Sequence, residues 1–97
     1  MSLTYLAEIS PKPEHFNQAR DAVLGITGRT RSEAGCLQFD LYCDHTQDRL
    51  FLLETWRDKG AFDWHHQQTY TQEVFEAYGD WLTKPPVLTQ IVALGDA

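Results

Sequence analysis

From Leu50 to Trp56 the chain alternates with a period of two, so that in an extended strand Leu50, Leu52, Glu54 and Trp56 share one side and Phe51, Leu53 and Thr55 the other. A second alternation runs from Cys36 to Asp44, with Leu37, Phe39, Leu41 and Cys43 expected on one face and Gln38, Asp40, Tyr42 and Asp44 opposite. The polar stretch His45 to Asp48 between them predicts an antiparallel hairpin. Elsewhere the period changes. Phe16, Ala19, Val23 and Ile26 recur every three or four residues, which predicts a helix beginning near Glu14, just past Pro11 and Pro13. Gly25 and Gly28 weaken its second half, and Gly35 is placed to terminate it. Asp58-Lys59-Gly60 ends the hairpin's second strand. A short helix over 61–67 and another over about 71–83 follow, the latter with Val74, Tyr78, Trp81 and Leu82 as its apolar stripe and Pro85-Pro86 as its stop. Leu3 to Ile9 and Val87 to Leu94 read as the first and last strands.

The order β-α-β-β-α-β is that of a ferredoxin-like α+β fold, a four-stranded antiparallel sheet with helices on one face. Its other face is apolar too. Phe51 and Leu53 oppose Glu54 and Trp56, while Thr89, Ile91 and Ala93 oppose Leu88, Val92 and Leu94. No further element is available to cover that face, so a homodimer with two sheets packed face to face is expected.

Ninety-seven residues, 42% of them hydrophobic, suit one domain spanning 1–97. No run approaches the roughly 18–20 apolar residues of a membrane helix, and no basic region followed by an apolar run marks a secretory signal, so a cytoplasmic protein is expected. The net charge of -6 repels nucleic acid and anionic lipid. Cys36 and Cys43 are expected on opposite faces of one strand, about 23 Å apart, too far for a disulfide. Without CxxC spacing they carry no zinc signal.

The chemistry concentrates between residues 50 and 66. Glu54 shares an apolar face with Trp56, and a carboxylate there needs a partner or a wet cavity, because burying an unpaired charge is costly. His65 follows nine residues after Trp56; imidazole titrates near neutral pH, which makes it the candidate general base, with Glu54 to orient or polarise it. It could equally cap or pack on its helix. Trp56 is either a flat wall for an aromatic ligand or core. Phe39, Trp64, Tyr70, Phe75, Tyr78 and Trp81 are further wall candidates, although aromatic residues at helical spacing also read as core. His66, some 100° further round the helix, is expected in solvent, as are His15 and His45. No metal site is expected from adjacent His65 and His66.

Glu33-Ala34-Gly35-Cys36-Leu37 with Phe39, Leu41 and Tyr42, then Phe51-Leu52-Leu53-Glu54-Thr55-Trp56, Ala61-Phe62 and His65, resembles the small antibiotic biosynthesis monooxygenase domains. That resemblance spans nearly the whole chain. It implies a dimeric α+β barrel and an oxygenase, often cofactor-free, acting on quinols or polyphenols. Relatives also include haem-degrading enzymes and an isomerase of a phosphorylated autoinducer sugar. The haem-degrading members carry an Asn on the first strand and a His in the last helix, and this chain has neither in 4–9 nor in 73–83. Tyr70 stands where oxygenase-like members place a second His. With no Gly-rich phosphate loop or facial metal triad, no cofactor is expected, and electrons for O₂ must come from an electron-rich aromatic substrate. The alternatives are a non-oxidative isomerase of a small phosphorylated dione, needing a cationic clamp from among Arg29, Arg31, Arg49, Arg57 and Lys84, and a ligand-binding or assembly domain without turnover.

Overall fold

A computed structural model describes residues 2–95. In chain order it contains β1 (Leu3–Ile9), a 3-10 turn (Pro13–His15), α1 (Phe16–Arg31), β2 (Cys36–Cys43), β3 (Leu50–Trp56), α2 (Lys59–Gln67), α3 (Thr69–Trp81) and β4 (Val87–Ile91). The four strands form one antiparallel sheet in the order β2-β3-β1-β4. This is the ferredoxin-like arrangement that the alternation of periods predicted.

Several boundaries differ from expectation, α3 among them, which spans Thr69–Trp81 where about 71–83 was expected; three of the differences have a local reason. α1 runs through Gly25 and Gly28, which stand in open space, and stops at Arg31 before Gly35 is reached. α2 starts earlier because the Asp58 carboxylate accepts the Ala61 backbone N–H at 2.9 Å, capping the first turn. β4 ends at Ile91 instead of Leu94, since Ile91 pairs with Thr4, one residue from the start of β1, and β1 is too short to pair with the strand as far as Leu94.

The core lies between the helices and one sheet face. Ala7 and Ile9 of β1 and Leu50, Leu52 and Trp56 of β3 are buried against Ala19, Val23 and Ile26 of α1 and Tyr78 of α3. On β2 the predicted face is correct from Gln38 onward and wrong before it. The register skips between Cys36 and Gln38, pairing Cys36 with Trp56 and Gln38 with Thr55, so Leu37 is an extra bulged residue. Leu37 is therefore 61% exposed, and Cys36 turns inward against the core, onto the same face as Cys43. Both cysteines are free.

The connection 32–35 returns from α1 to β2 under a tight constraint. A Cβ on Gly35 would sit 2.2 Å from the Ala61 Cβ, so only glycine lets the chain pass α2 here, while Gly35 C=O accepts the Arg57 N–H at 2.8 Å. The contact fixes the loop that holds Glu33 against the helix that holds His65.

Candidate functional site

Trp56 is fully buried, with 0% exposure, and its indole N–H donates to Glu54 Oε1 at 2.8 Å. β-alternation places the two residues on one face, and their side chains close a bond within the strand. Glu54 is itself buried; desolvation raises its pKa, and the Trp56 hydrogen bond opposes that rise. The imidazole of His65 lies over the same indole, ring centroids 4.7 Å apart. Trp56 thus holds both Glu54 and His65 from behind and is not among the residues that line the cavity in front of them.

His65 has a partner that pattern reading missed. Its Nδ1–H donates to Glu33 Oε2 at 2.8 Å, and the Tyr70 hydroxyl donates to the same oxygen. Thr71 Oγ1 lies 3.4 Å from that Nδ1. With Nδ1 carrying the proton, Nε2 of neutral His65 is an acceptor. Burial lowers the His65 pKa and Glu33 opposes the shift, so the imidazole is neutral at pH 7 and able to take a proton. The Tyr70 phenol is pushed up to about 12, first by desolvation and then by Glu33, and the Arg29 guanidinium sits 4.7 Å from its ring centre. It donates to Glu33 as a neutral phenol.

In front of His65 lies a cavity of about 150 Å³. Its polar lining is Glu54, His65, His66 and Thr71; the rest is apolar, including Leu52 and Phe39 from the sheet, Val23 and Ile26 from α1, and Leu88 from β4. Phe39 packs edge-on to both Trp56 and His65. Phe75, 51% exposed, lines the rim, and Tyr78 lines the wall with its hydroxyl donating to Ala19 C=O at 2.7 Å. No Lys or Arg is among the residues lining it.

Of the residues singled out in the sequence, the structure therefore gathers His65, Glu54, Phe39, Phe75 and Tyr78 around one cavity, with Trp56 and Tyr70 in the layer behind. Two lie elsewhere. Trp64, 51% exposed, borders a broad surface groove with Arg57 and Asp58, and Trp81 packs on His15 and Tyr78. His66, expected in solvent, is half-buried instead. Its Nδ1–H donates to Phe62 C=O at 2.8 Å, and its ring lies 4.3 Å from that of Phe62 and 5.7 Å from that of Phe75. Among the described residues, no cluster of three or more His, Cys, Asp or Glu is placed to hold a metal, and no helix is long and apolar enough to cross a membrane.

The chain thus combines a ferredoxin-like α+β frame with a buried carboxylate–imidazole pair whose imidazole lines a largely apolar cavity. The antibiotic biosynthesis monooxygenase family profile matches residues 2–77, and the chain belongs to that family. Protein sll1783 of Synechocystis is 44% identical over 57 residues, which cover 58% of this chain and 39% of that protein's length. Rv0793 of Mycobacterium tuberculosis is 28% identical over 92 residues, covering 95% of this chain and 91% of its own. Its solved structure superposes with a TM-score of 0.92, covering 100% of this chain and 99% of that one. PA3566 of Pseudomonas aeruginosa superposes with a TM-score of 0.89 at 27% identity, over 97% and 95% of the two chains.

Proposed function

We propose that this protein is a cofactor-independent monooxygenase for a small, uncharged, electron-rich aromatic compound, using O₂. The observation that carries the reading is the Glu33–His65 pair: a buried carboxylate holds Nδ1–H, leaving Nε2 as a base at an apolar cavity. His65 removes the substrate hydroxyl proton. The arenolate passes one electron to O₂, and the radical pair combines to a carbon-bound peroxide, which takes back the proton. Loss of the ring C–H proton with cleavage of O–O leaves a carbonyl on carbon and releases water, so the substrate supplies all four electrons. Apolar walls exclude water from the reactive pair, and Glu54, in the same cavity lining, is a second proton-handling group.

The isomerase alternative needs cations for a phosphate. A cavity lined by Glu54 and two imidazoles, with no Lys or Arg, is unsuited to one.

A homodimer belongs to the same proposal. Leu6, Phe51 and Leu53 are half-buried and Tyr42, Val87 and Ile91 exposed on the sheet face away from the helices, which is the apolar surface a second copy would cover.

Oxygen uptake by metal-stripped protein against hydroquinones, catechols and anthrones, autoxidation subtracted, tests the activity. Uptake should fall by ~10² or more in His65→Ala with the fold retained. Uptake unchanged in that variant removes His65 from the reaction, and no uptake across the panel removes the oxygenase.

A further inference from the structure

The polar end of the cavity carries more than one acceptor. His66 is adjacent in sequence to His65, with ring centroids 5.2 Å apart, and both line the same cavity. In each ring Nδ1–H is already engaged, in His65 by Glu33 and in His66 by Phe62 C=O. In the neutral imidazoles both Nε2 atoms are therefore acceptors. Neither Nε2 is hydrogen-bonded among the described residues, and neither is sealed from solvent, so both stay open to a ligand. Glu54, bonded to Trp56 through Oε1, adds a carboxyl oxygen to the same end. The complement of such an end is a ligand that donates twice from neighbouring atoms.

Size narrows the choice further. An apolar cavity of roughly 150 Å³ accommodates a benzene-sized guest, and this one measures about 150 Å³. A three-ring system would have to stand out past Phe75 and Leu88, which are 51% and 46% exposed at the rim.

From the paired acceptors and the volume we infer that the substrate is a single-ring arene with hydroxyls on adjacent carbons, a catechol, and that His66 is the residue selecting it, binding the second hydroxyl while His65 takes the first. The inference rests on the cavity being the substrate site of the proposed oxygenase. Adjacent hydroxyls reach two neighbouring imidazoles together. Hydroxyls in para positions point apart, and one would be driven into the apolar lining without a partner, as would the ether of a monomethylated catechol lacking its second donor.

The test is equilibrium binding without oxygen, by titration calorimetry, of catechol, guaiacol, hydroquinone and anthrone to wild type, His66→Phe and His66→Gln, with folding checked by circular dichroism. Catechol should bind about tenfold more tightly than guaiacol or hydroquinone, the worth of one hydrogen bond near the upper end of its range. Anthrone should bind more weakly still. The preference should vanish in His66→Phe and survive in His66→Gln, whose side chain keeps an acceptor. Equal affinity for catechol and guaiacol, anthrone binding as tightly as catechol, a preference that persists in His66→Phe, or no binding of catechol would each overturn it. If His66→Phe does not fold, the wild-type ranking alone decides. Because binding is read without O₂, catechol that binds with the expected preference but drives no oxygen uptake overturns the oxygenase while leaving His66 as the residue that selects adjacent hydroxyls in the cavity.

Discussion

Replacing Glu33 by Gln tests the site's electrostatics without changing its shape. Glu33 Oε2 accepts from both His65 Nδ1 and the Tyr70 hydroxyl, and the wild-type imidazole already titrates below its ordinary 6.5, because burial disfavours its charged form and Glu33 only partly offsets this. The amide keeps one acceptor oxygen but loses the charge, so the imidazolium loses its counter-ion and the His65 pKa must fall further. A hydrogen bond to a charged group contributes about 1.5–3 kcal/mol against about 0.5–1.5 for a neutral one, a difference of roughly 1–1.5 kcal/mol, or about one pH unit. The acid limb of kcat/KM, set by His65 in the free enzyme, should move to lower pH by about that amount. Its plateau should drop by ~10² or more, because a weaker base transfers the proton less well and the amide no longer enforces one tautomer. Linkage gives an independent readout. With the folded pKa below the unfolded one, stability is whole above about 6.5 and is lost as pH falls from there through the folded value. The lower end of that window should extend further in the variant. A limb that stays in place, or moves to higher pH, would refute the assignment of Glu33 as the group that holds His65.

Three further outcomes follow from the packing. Trp56→Phe removes the donor to Glu54 and part of a fully buried ring, and should cost about 2–4 kcal/mol in urea unfolding. The Glu54 pKa is already raised above its ordinary 4.5 and would rise further, so the deficit relative to wild type should be smallest near that pH and grow as pH increases through the folded value; a pH-independent deficit would show that the bond to Glu54 plays no part. Gly35→Ala drives a Cβ to 2.2 Å from that of Ala61, a contact no rotamer relieves, and overpacking of about 1–3 kcal/mol should lower the melting temperature by about 5–15 °C; an unchanged melting temperature would mean that the crossing is slack. Leu53→Asp places a charge in the middle of the open sheet face and should leave an 11.2 kDa monomer by light scattering, and persistence of a dimer would locate the interface elsewhere.

The frame was legible because β3 alternates without interruption and α1 keeps a clean apolar stripe despite two glycines, and both signals are local. So was the grouping of Glu54 with Trp56, which follows from period two alone. What escaped was set by tertiary contact. Glu33 is 32 residues from His65, and nothing in the spacing announces that a loop before β2 will deliver a carboxylate to a helix after β3. His66 looked solvated because successive helical residues diverge by about 100°. Here the cavity wraps far enough around α2 to take both rings, and Phe62 C=O turns the second one inward. The large aromatics were the least readable, since Trp56, Trp64 and Trp81 differ in burial for reasons that lie on other elements.

The bulge at Leu37 has a consequence for chain length. From Gln38 to Cys43 the ladder with β3 is regular, so deleting Leu37 would leave those pairs in place and straighten the strand before them. Cys36 already pairs with Trp56, the neighbour of Thr55, so the shortened strand would close into an unbroken ladder without moving residues 33–36 along β3. The strand can therefore lose a residue at this point and keep Glu33 on the side of His65, whereas a deletion anywhere between Gln38 and Cys43 would turn the side chains on one side of it to the opposite face.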